Sequence, residues 1–209
     1  MPQDVRYALR LMRRSPVFTL VAVWSLALGI GATTAIFSLI NTLILRRLPV
    51  REPGRLVELV SRYPGEPDYE GFPWKHYERY RDENHVFSDV IGVSPARMQL
   101  AREGADPEQV EGAYVVANFF SALGVQPAVG RLPRPGDDDH AAAVSWTYWK
   151  SRLNLDPTIV GRQIRIDNVP ATIVGVVARG FTGLEVGSRP DVWLPGGAKR
   201  PMLKVLAWL

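Results

Sequence analysis

Apolar and polar positions fall into two regimes along the 209 residues. The first is one unbroken run. From Ser15 to Leu45 no residue is charged, and from Val17 onward most are apolar or small. As a helix, Val17 to Leu45 would extend about 44 Å at about 1.5 Å per residue. A bilayer core is about 30 Å thick and takes about 20 residues. The pattern therefore predicts a transmembrane helix over 17–46, entered at Pro16, whose missing N–H costs nothing at a helix start. Two plainer readings compete. A cleaved signal peptide needs an apolar stretch of about 7–15 residues and then a small-x-small site; this run is longer and no clean Ala-x-Ala follows it. The other is a buried helix of a soluble core.

The second regime, 47–209, mixes short stretches of period two and period 3.6. Strands are expected at Leu56–Val60, Val86–Val93, Arg97–Arg102, Val110–Val116, Ala141–Ser145, Asp191–Leu194 and Met202–Leu209. Helices are expected at Pro73–Asn84, with Trp74, Tyr77 and Tyr80 at three-residue spacing, and at Trp146–Leu153. A short helix at Asn118–Leu123 ends on Gly124, the residue best suited to a left-handed C-terminal cap. Pro127–His140, rich in Pro, Gly and Asp, reads as a surface loop. Ile159–Val177 reads as a hairpin turning at Asp167-Asn168. Nothing after Leu45 approaches 18 uncharged apolar residues, so the chain crosses a membrane once. Strands and helices without a regular βα period make the fold α+β: one N-terminal transmembrane helix, then a mixed α/β domain.

Charge changes the picture only once it is located. The net charge is +4 and the pI about 9.6, values that would fit a nucleic-acid partner. Residues 1–47, however, carry Arg6, Arg10, Arg13, Arg14, Arg46 and Arg47 against Asp4 alone, a balance of +5; the other 162 residues carry 19 basic and 20 acidic side chains. A near-neutral body does not supply the basic face that displaces counterions from phosphates, which excludes the nucleic-acid reading. Four arginines precede the helix and Arg46, Arg47, Arg51 and Arg55 follow it, so the positive-inside count is almost tied; the N-terminus is read as cytoplasmic. The stretch 1–16, with Leu9, Leu11 and Met12 among its arginines, is either an amphipathic segment on an anionic leaflet or a solvated flank.

Within the apolar run, Ala27, Gly31 and Ala35 recur every four residues, and Ser25 and Gly29 form a second small pair. Small residues at this spacing let another helix approach closely in a bilayer. The plain alternative is that alanine and glycine are common in such helices. If the stripe is a packing face, its partner helix lies outside this chain.

Candidate chemistry is sparse. The absence of cysteine excludes disulfides, thiolate metal sites and a cysteine nucleophile. Asp137-Asp138-Asp139-His140 is the one conspicuous ligand cluster, but consecutive aspartates point in different directions and lack the spacing of a hard-cation loop. His76 and His85 are isolated. No serine sits in a Gly-x-Ser-x-Gly setting, and the glycine-rich stretches lack a phosphate-binding pattern. The sequence is read as non-enzymatic, with no catalytic, cofactor or metal residues assigned.

Longer stretches carry a family signal. Asp4-Val5-Arg6-Tyr7-Ala8-Leu9-Arg10, Arg14-Ser15-Pro16-Val17-Phe18-Thr19 and Leu26-Ala27-Leu28-Gly29-Ile30-Gly31-Ala32 are followed by Pro53-Gly54-Arg55-Leu56-Val57. Then come Val115-Val116-Ala117-Asn118-Phe119-Phe120, Tyr148-Trp149, Ile159-Val160-Gly161-Arg162 and Asp191-Val192-Trp193-Leu194-Pro195. In this order the chain resembles the N-terminal half of MacB-like/FtsX-like ABC transporter permeases. The resemblance implies a helix entering from the cytoplasm and a MacB-like extracytoplasmic core domain over 47–209, in the inner membrane. It also implies an ABC-type ATPase partner, a homodimer, a periplasmic partner protein and the lipid bilayer as solvent. The permease would do no chemistry itself; it would pass an ATPase-driven change to the extracytoplasmic domain. The family's C-terminal membrane block would follow Leu209, so the chain is expected to be a truncated permease or fragment. An anchored binding or structural module without transport is the alternative. Two departures stand out: Asn154-Leu155 where a glycine pair is usual, and Asp167-Asn168 where Asn-Gly is common.

Overall fold

The computed structural model describes residues 15–43, 50–62, 64–65, 68–185, 187–196 and 202–209. The expectations for segment 1–14 and for Arg46, Arg47 and Pro49 lie outside the described residues. The chain divides into two units, Met1–Arg47 and Leu48–Leu209. The first contains helix α1, Pro16–Leu43. Within it, Pro16–Ser38 is long and apolar enough to cross a membrane, and side chains such as Phe18, Trp24, Leu28 and Phe37 are exposed. Such an all-round apolar surface fits hydrocarbon rather than water. The hydroxyls of Thr19 and Thr33 donate to the carbonyls four residues back, Ser15 (3.0 Å) and Gly29 (2.8 Å). Internal satisfaction of this kind is what a bilayer requires of polar groups.

The second unit is built on one mixed ten-stranded sheet: β1 (Leu56–Glu58), β2 (Gly71–Phe72), β3 (Asp89–Ala101), β4 (Glu108–Val115), β5 (Pro127–Gly130), β6 (Ala141–Val144), β7 (Gln163–Ile166), β8 (Val169–Val177), β9 (Val192–Pro195) and β10 (Leu203–Trp208). The path runs β1-β10-β3-β4-β9-β6-β8-β5, with β2 added to β10 and β7 bridging β8 back to β3. The ladders β3-β4-β9-β6-β8-β7-β3 therefore close into a ring of six strands. Only β4–β9 and β6–β8 are parallel.

Helices cover two separate cores. Helices α2 (Trp74–Glu83) and α3 (Phe119–Leu123) lie over a cluster that includes Phe72, Tyr77, Ile91, Phe119, Phe120 and Trp193. Helix α4 (Trp146–Arg152) packs its Tyr148 and Trp149 into a second cluster with Met98, Ile164, Ile173 and Val192, drawn from ring strands. Local chemistry sets the helix ends. Ser145 caps α4 by accepting from the Tyr148 N–H (2.9 Å), and Gly124 closes α3 in the left-handed region at φ 69°. Asn84 donates to the Tyr80 carbonyl and accepts from the Phe87 N–H, stopping α2 and turning the chain into β3.

The expected elements are largely present, with three corrections. Val86–Val93 and Arg97–Arg102 belong to one strand, β3, because Pro95 pairs with Ala113 without breaking the ladder. The loop expected at Pro127–His140 begins with strand β5, an edge position that tolerates proline. The hairpin is confined to Gln163–Val177; Pro157–Ile159 before it is a 3₁₀ turn. At the two sequence departures the backbone keeps glycine-like geometry: Asn154, Leu155, Asp167 and Asn168 have φ of 49°, 55°, 51° and 67°. Asn, and less so Asp, tolerate that region; a leucine there is strained.

Candidate functional site

Two features carry functional geometry, one in each unit. In α1 the residues expected to pack a neighbouring helix, Ala27, Gly31 and Ala35, are all exposed, and a Cβ placed on Gly31 would meet nothing within 4 Å. At about 100° per residue, steps of four keep these three on one narrow face. Ser25, Gly29 and Thr33 follow the same spacing on the opposite side, where a shallow groove runs between Ser25, Leu26, Gly29, Ile30, Thr33 and Thr34. The helix thus presents small residues on two faces.

In the second unit, the segment before β1 and strand β10 are fastened together. The Arg51 N–H donates to the Leu123 carbonyl at the end of α3 (2.8 Å), and the Trp208 indole donates to the Arg51 carbonyl (3.2 Å). Strand β1 then runs antiparallel to β10, Leu56 opposite Trp208 and Glu58 opposite Leu206, and the Leu209 N–H donates to the Arg55 carbonyl (3.2 Å). Gly124 is needed here for space as well as for its positive φ, since a Cβ would lie 3.2 Å from the Arg51 Cβ. Lys204, on β10, adds an ionic clasp. Its ammonium reaches Glu58 (3.1 Å), Glu70 (3.3 Å) and Glu185 (3.6 Å), tying β1, the approach to β2 and the loop before β9 to one point. Burial opposes that charge, but hydrogen bonding to Glu58 and the surrounding carboxylates prevail and raise the Lys204 pKa.

The side chains singled out for chemistry are occupied separately. Burial works against ionised Asp137, yet the Arg131 side chain and the Arg134 N–H outweigh it and hold the carboxyl below its usual range. Asp138 instead accepts from the His140 N–H (2.9 Å). Among the described residues no three His, Asp or Glu side chains converge as metal ligands. A second polar network, not singled out in the sequence, surrounds Glu108. That carboxylate accepts from the Tyr148 hydroxyl (2.7 Å) and pairs with Arg102 (3.1 Å) and Arg152 (3.3 Å). Burial, then the bond to Glu108, raises the Tyr148 pKa. It joins Arg102 and Glu108 to Tyr148 and Arg152, which lie 40 or more residues further on, so no local motif announces it.

The sequence profile described as the MacB-like periplasmic core domain matches residues 19–207. The chain belongs to that family. Among solved structures, this MacB-like chain is similar to the extracellular domain of the noncanonic ABC-type transporter YknZ from Gram-positive bacteria, with 11% identity and TM-score 0.55 over 74% of this chain and 81% of that one. It is also similar to the periplasmic region of MacB from Actinobacillus actinomycetemcomitans, with 11% identity and TM-score 0.54 over 67% of this chain and 65% of that one. At such identity the likeness shows the fold. No curated protein matches the sequence. The chain is therefore a MacB-like periplasmic core domain, of the kind found in ABC transporter permeases, preceded by an apolar helix suited to a membrane.

Proposed function

We propose that this chain is a permease component of a MacB/FtsX-type ABC transporter, coupling a cytoplasmic ABC-type ATPase to movement of an extracytoplasmic domain. In this reading residues 1–16 are cytoplasmic, 17–46 cross the inner membrane, and 47–209 form the extracytoplasmic domain. Ala27, Gly31 and Ala35 seat α1 against a neighbouring membrane helix, in a second copy or another subunit. The observation that supports relay above all is the pairing of β1 with β10. A domain whose first and last segments are hydrogen-bonded side by side responds as one body when either is displaced, which a mechanical coupler needs and a passively anchored module does not. The domain would act on a periplasmic partner rather than perform chemistry.

The absence of cysteine makes the test direct. In whole cells, a membrane-impermeant maleimide is expected to label Asp106→Cys at once and Gln3→Cys only after permeabilisation; the reverse order overturns the topology. Purified in mild detergent, the chain is expected to retain an ABC-type ATPase. Purification free of any ATPase would leave the anchored-module alternative. Gly31→Leu is expected to weaken the association of α1 with a neighbouring membrane helix, read by cross-linking in the membrane through Ala27→Cys; unchanged cross-linking would remove the packing role from that face.

A further inference from the structure

The loop between α4 and β7 spends conformational energy on its surface. Leu155 is held at φ 55°, a region leucine avoids, and its side chain remains 40% exposed. The strain is therefore not recovered by core burial. Nor is the loop slack: the Leu155 N–H donates to the Trp149 carbonyl (3.0 Å), the Trp149 indole to the Asp156 carbonyl (2.9 Å), and the Asp156 carboxylate accepts from both Thr158 groups. Backbone strain that the surroundings enforce, beneath an exposed apolar side chain, points to an interaction surface.

The neighbourhood defines what would bind. Beside the loop lies a cleft of about 570 Å³ lined by Leu153, Ile159, Ile164 and Ile173 together with Arg102, Arg162, Gln163 and the exposed Glu103. Exposed Val160 lies beyond the 3₁₀ turn and borders a second, apolar trough of about 370 Å³ that also touches Arg131 and Ile173. Three of the ion pairs on this face share one orientation; the fourth, Arg102 with Glu108, is evenly placed at 25% and 22%. Arg152 is 60% exposed against 22% for Glu108, Arg162 52% against 30% for Asp156, and Arg131 43% against 13% for Asp137. In each, the carboxylate turns inward and the guanidinium outward. Formal charges nearly cancel, but around the apolar troughs three guanidiniums stand further into solvent than their carboxylates, with Glu103 the exposed carboxylate at the cleft. Arg162 engages Asp156 and Thr158 through Nη2, and among the described residues its Nε and Nη1 have no hydrogen-bond partner.

We infer that this face, centred on Leu155 and Val160 and rimmed by Arg102, Arg152 and Arg162, docks an acidic amphipathic polypeptide segment of a partner protein, apolar side chains in the troughs and carboxylates on the arginines. The inference rests on the reading of 47–209 as an extracytoplasmic domain that works on a partner; the maleimide labelling above reports topology without reference to this face, so the two can fail separately. Outward guanidiniums over an apolar floor match the composition of protein interfaces, where arginine is enriched and other charges are depleted.

The whole chain in phosphatidylcholine nanodiscs would be titrated against a short fluorescein-labelled Leu/Glu peptide and its Leu/Lys counterpart, read by anisotropy. The acidic peptide is expected to bind and the basic one not. Leu155→Gly is informative because glycine accepts the same φ: it should keep the melting temperature while weakening the acidic peptide about tenfold or more, and Arg162→Gln should weaken it less. Equal binding of the two peptides, or an unaltered affinity in Leu155→Gly, overturns the inference. Binding of dodecanoate at this face without binding of the acidic peptide would also overturn it, by making the cleft a small-amphiphile site.

Discussion

Replacing Trp208 by phenylalanine probes the clamp between the domain's first and last segments. The indole N–H is the donor to the Arg51 carbonyl, and the ring is buried in the α2–α3 core. Phenylalanine keeps the strand and most of the packing but removes that hydrogen bond, worth about 0.5–1.5 kcal/mol net. The smaller ring forfeits about 1 kcal/mol more of apolar burial. Together that is about 2 kcal/mol, a factor of about thirty in a local opening equilibrium. Native-state hydrogen exchange reads this residue by residue. In Trp208→Phe the amides of Arg51, Leu209 and Ser88, whose acceptors are Leu123, Arg55 and Trp208, should exchange about thirtyfold faster. The amides of Gly161 and Thr172, bonded to Ile173 and His140, should keep their rates. Equal acceleration at Gly161 and Thr172 would mean that the clamp opens only with global unfolding. An unchanged Arg51 would mean that the indole bond does not hold the entry segment. Either result refutes the coupling argument.

Further expectations follow from packing and charge. Gly175→Ala should abolish folding or cost more than about 3 kcal/mol, because its Cβ would lie 2.0 Å from the Arg131 carbonyl oxygen; Gly112→Ala should cost about 1–2 kcal/mol, since it meets the flexible Met98 thioether; thermal denaturation compares them. Lys204→Met leaves Glu58, Glu70 and Glu185 facing one another and should cost about 2 kcal/mol at pH 7, read by thermal denaturation. Asp191 is half-buried, and burial followed by the Glu108 charge raises its pKa. The folded state thus binds that proton more tightly than the unfolded chain, a contribution to stability present at low pH and lost as pH rises through the raised value. Asp191→Asn should therefore stabilise the domain at pH 7–8, with the gap closing toward pH 4. Asp137, held low by Arg131, has the opposite sign: Asp137→Asn should destabilise near neutrality and converge with the parent in acid.

What the sequence made legible follows from the range of each interaction. Helix α1 needed only composition and length, and the cap at Gly124 only local turn chemistry. Phe119, Phe120, Trp149 and Trp193, all within the family stretches, are buried. Closure of the ring was not legible, because the pairing of Leu100 with Ile166 joins residues whose local patterns say nothing of each other. The Lys204 clasp and the Glu108 network were hidden for the same reason: each gathers charges from segments separated along the chain. The strain at Leu155 was half visible. The departure from a glycine pair marked the turn, but only the backbone shows that leucine keeps the glycine conformation.

The one strand the sequence divided is also the one that connects the functional regions. Ser94-Pro95-Ala96 looks like a break, yet β3 continues through it for 13 residues, about 43 Å at about 3.3 Å per residue. Its first five residues pair with β10 beside the clamp, and its last two pair with β7 at the ring. Arg102, at one side of the cleft beside Leu155, follows immediately. Between these ends β4 pairs with β3 from Val93 to Leu100 without a register shift, so the strand has no hinge of its own. A displacement of the clamp would then reach the Leu155 face by rigid-body movement of β3 rather than by local rearrangement. A cysteine pair joining Arg97 to the facing Glu111, both exposed, should for that reason leave acidic-peptide binding unchanged. If the bridge alters that affinity, β3 flexes at Pro95, and the relay depends on bending that this pairing does not provide.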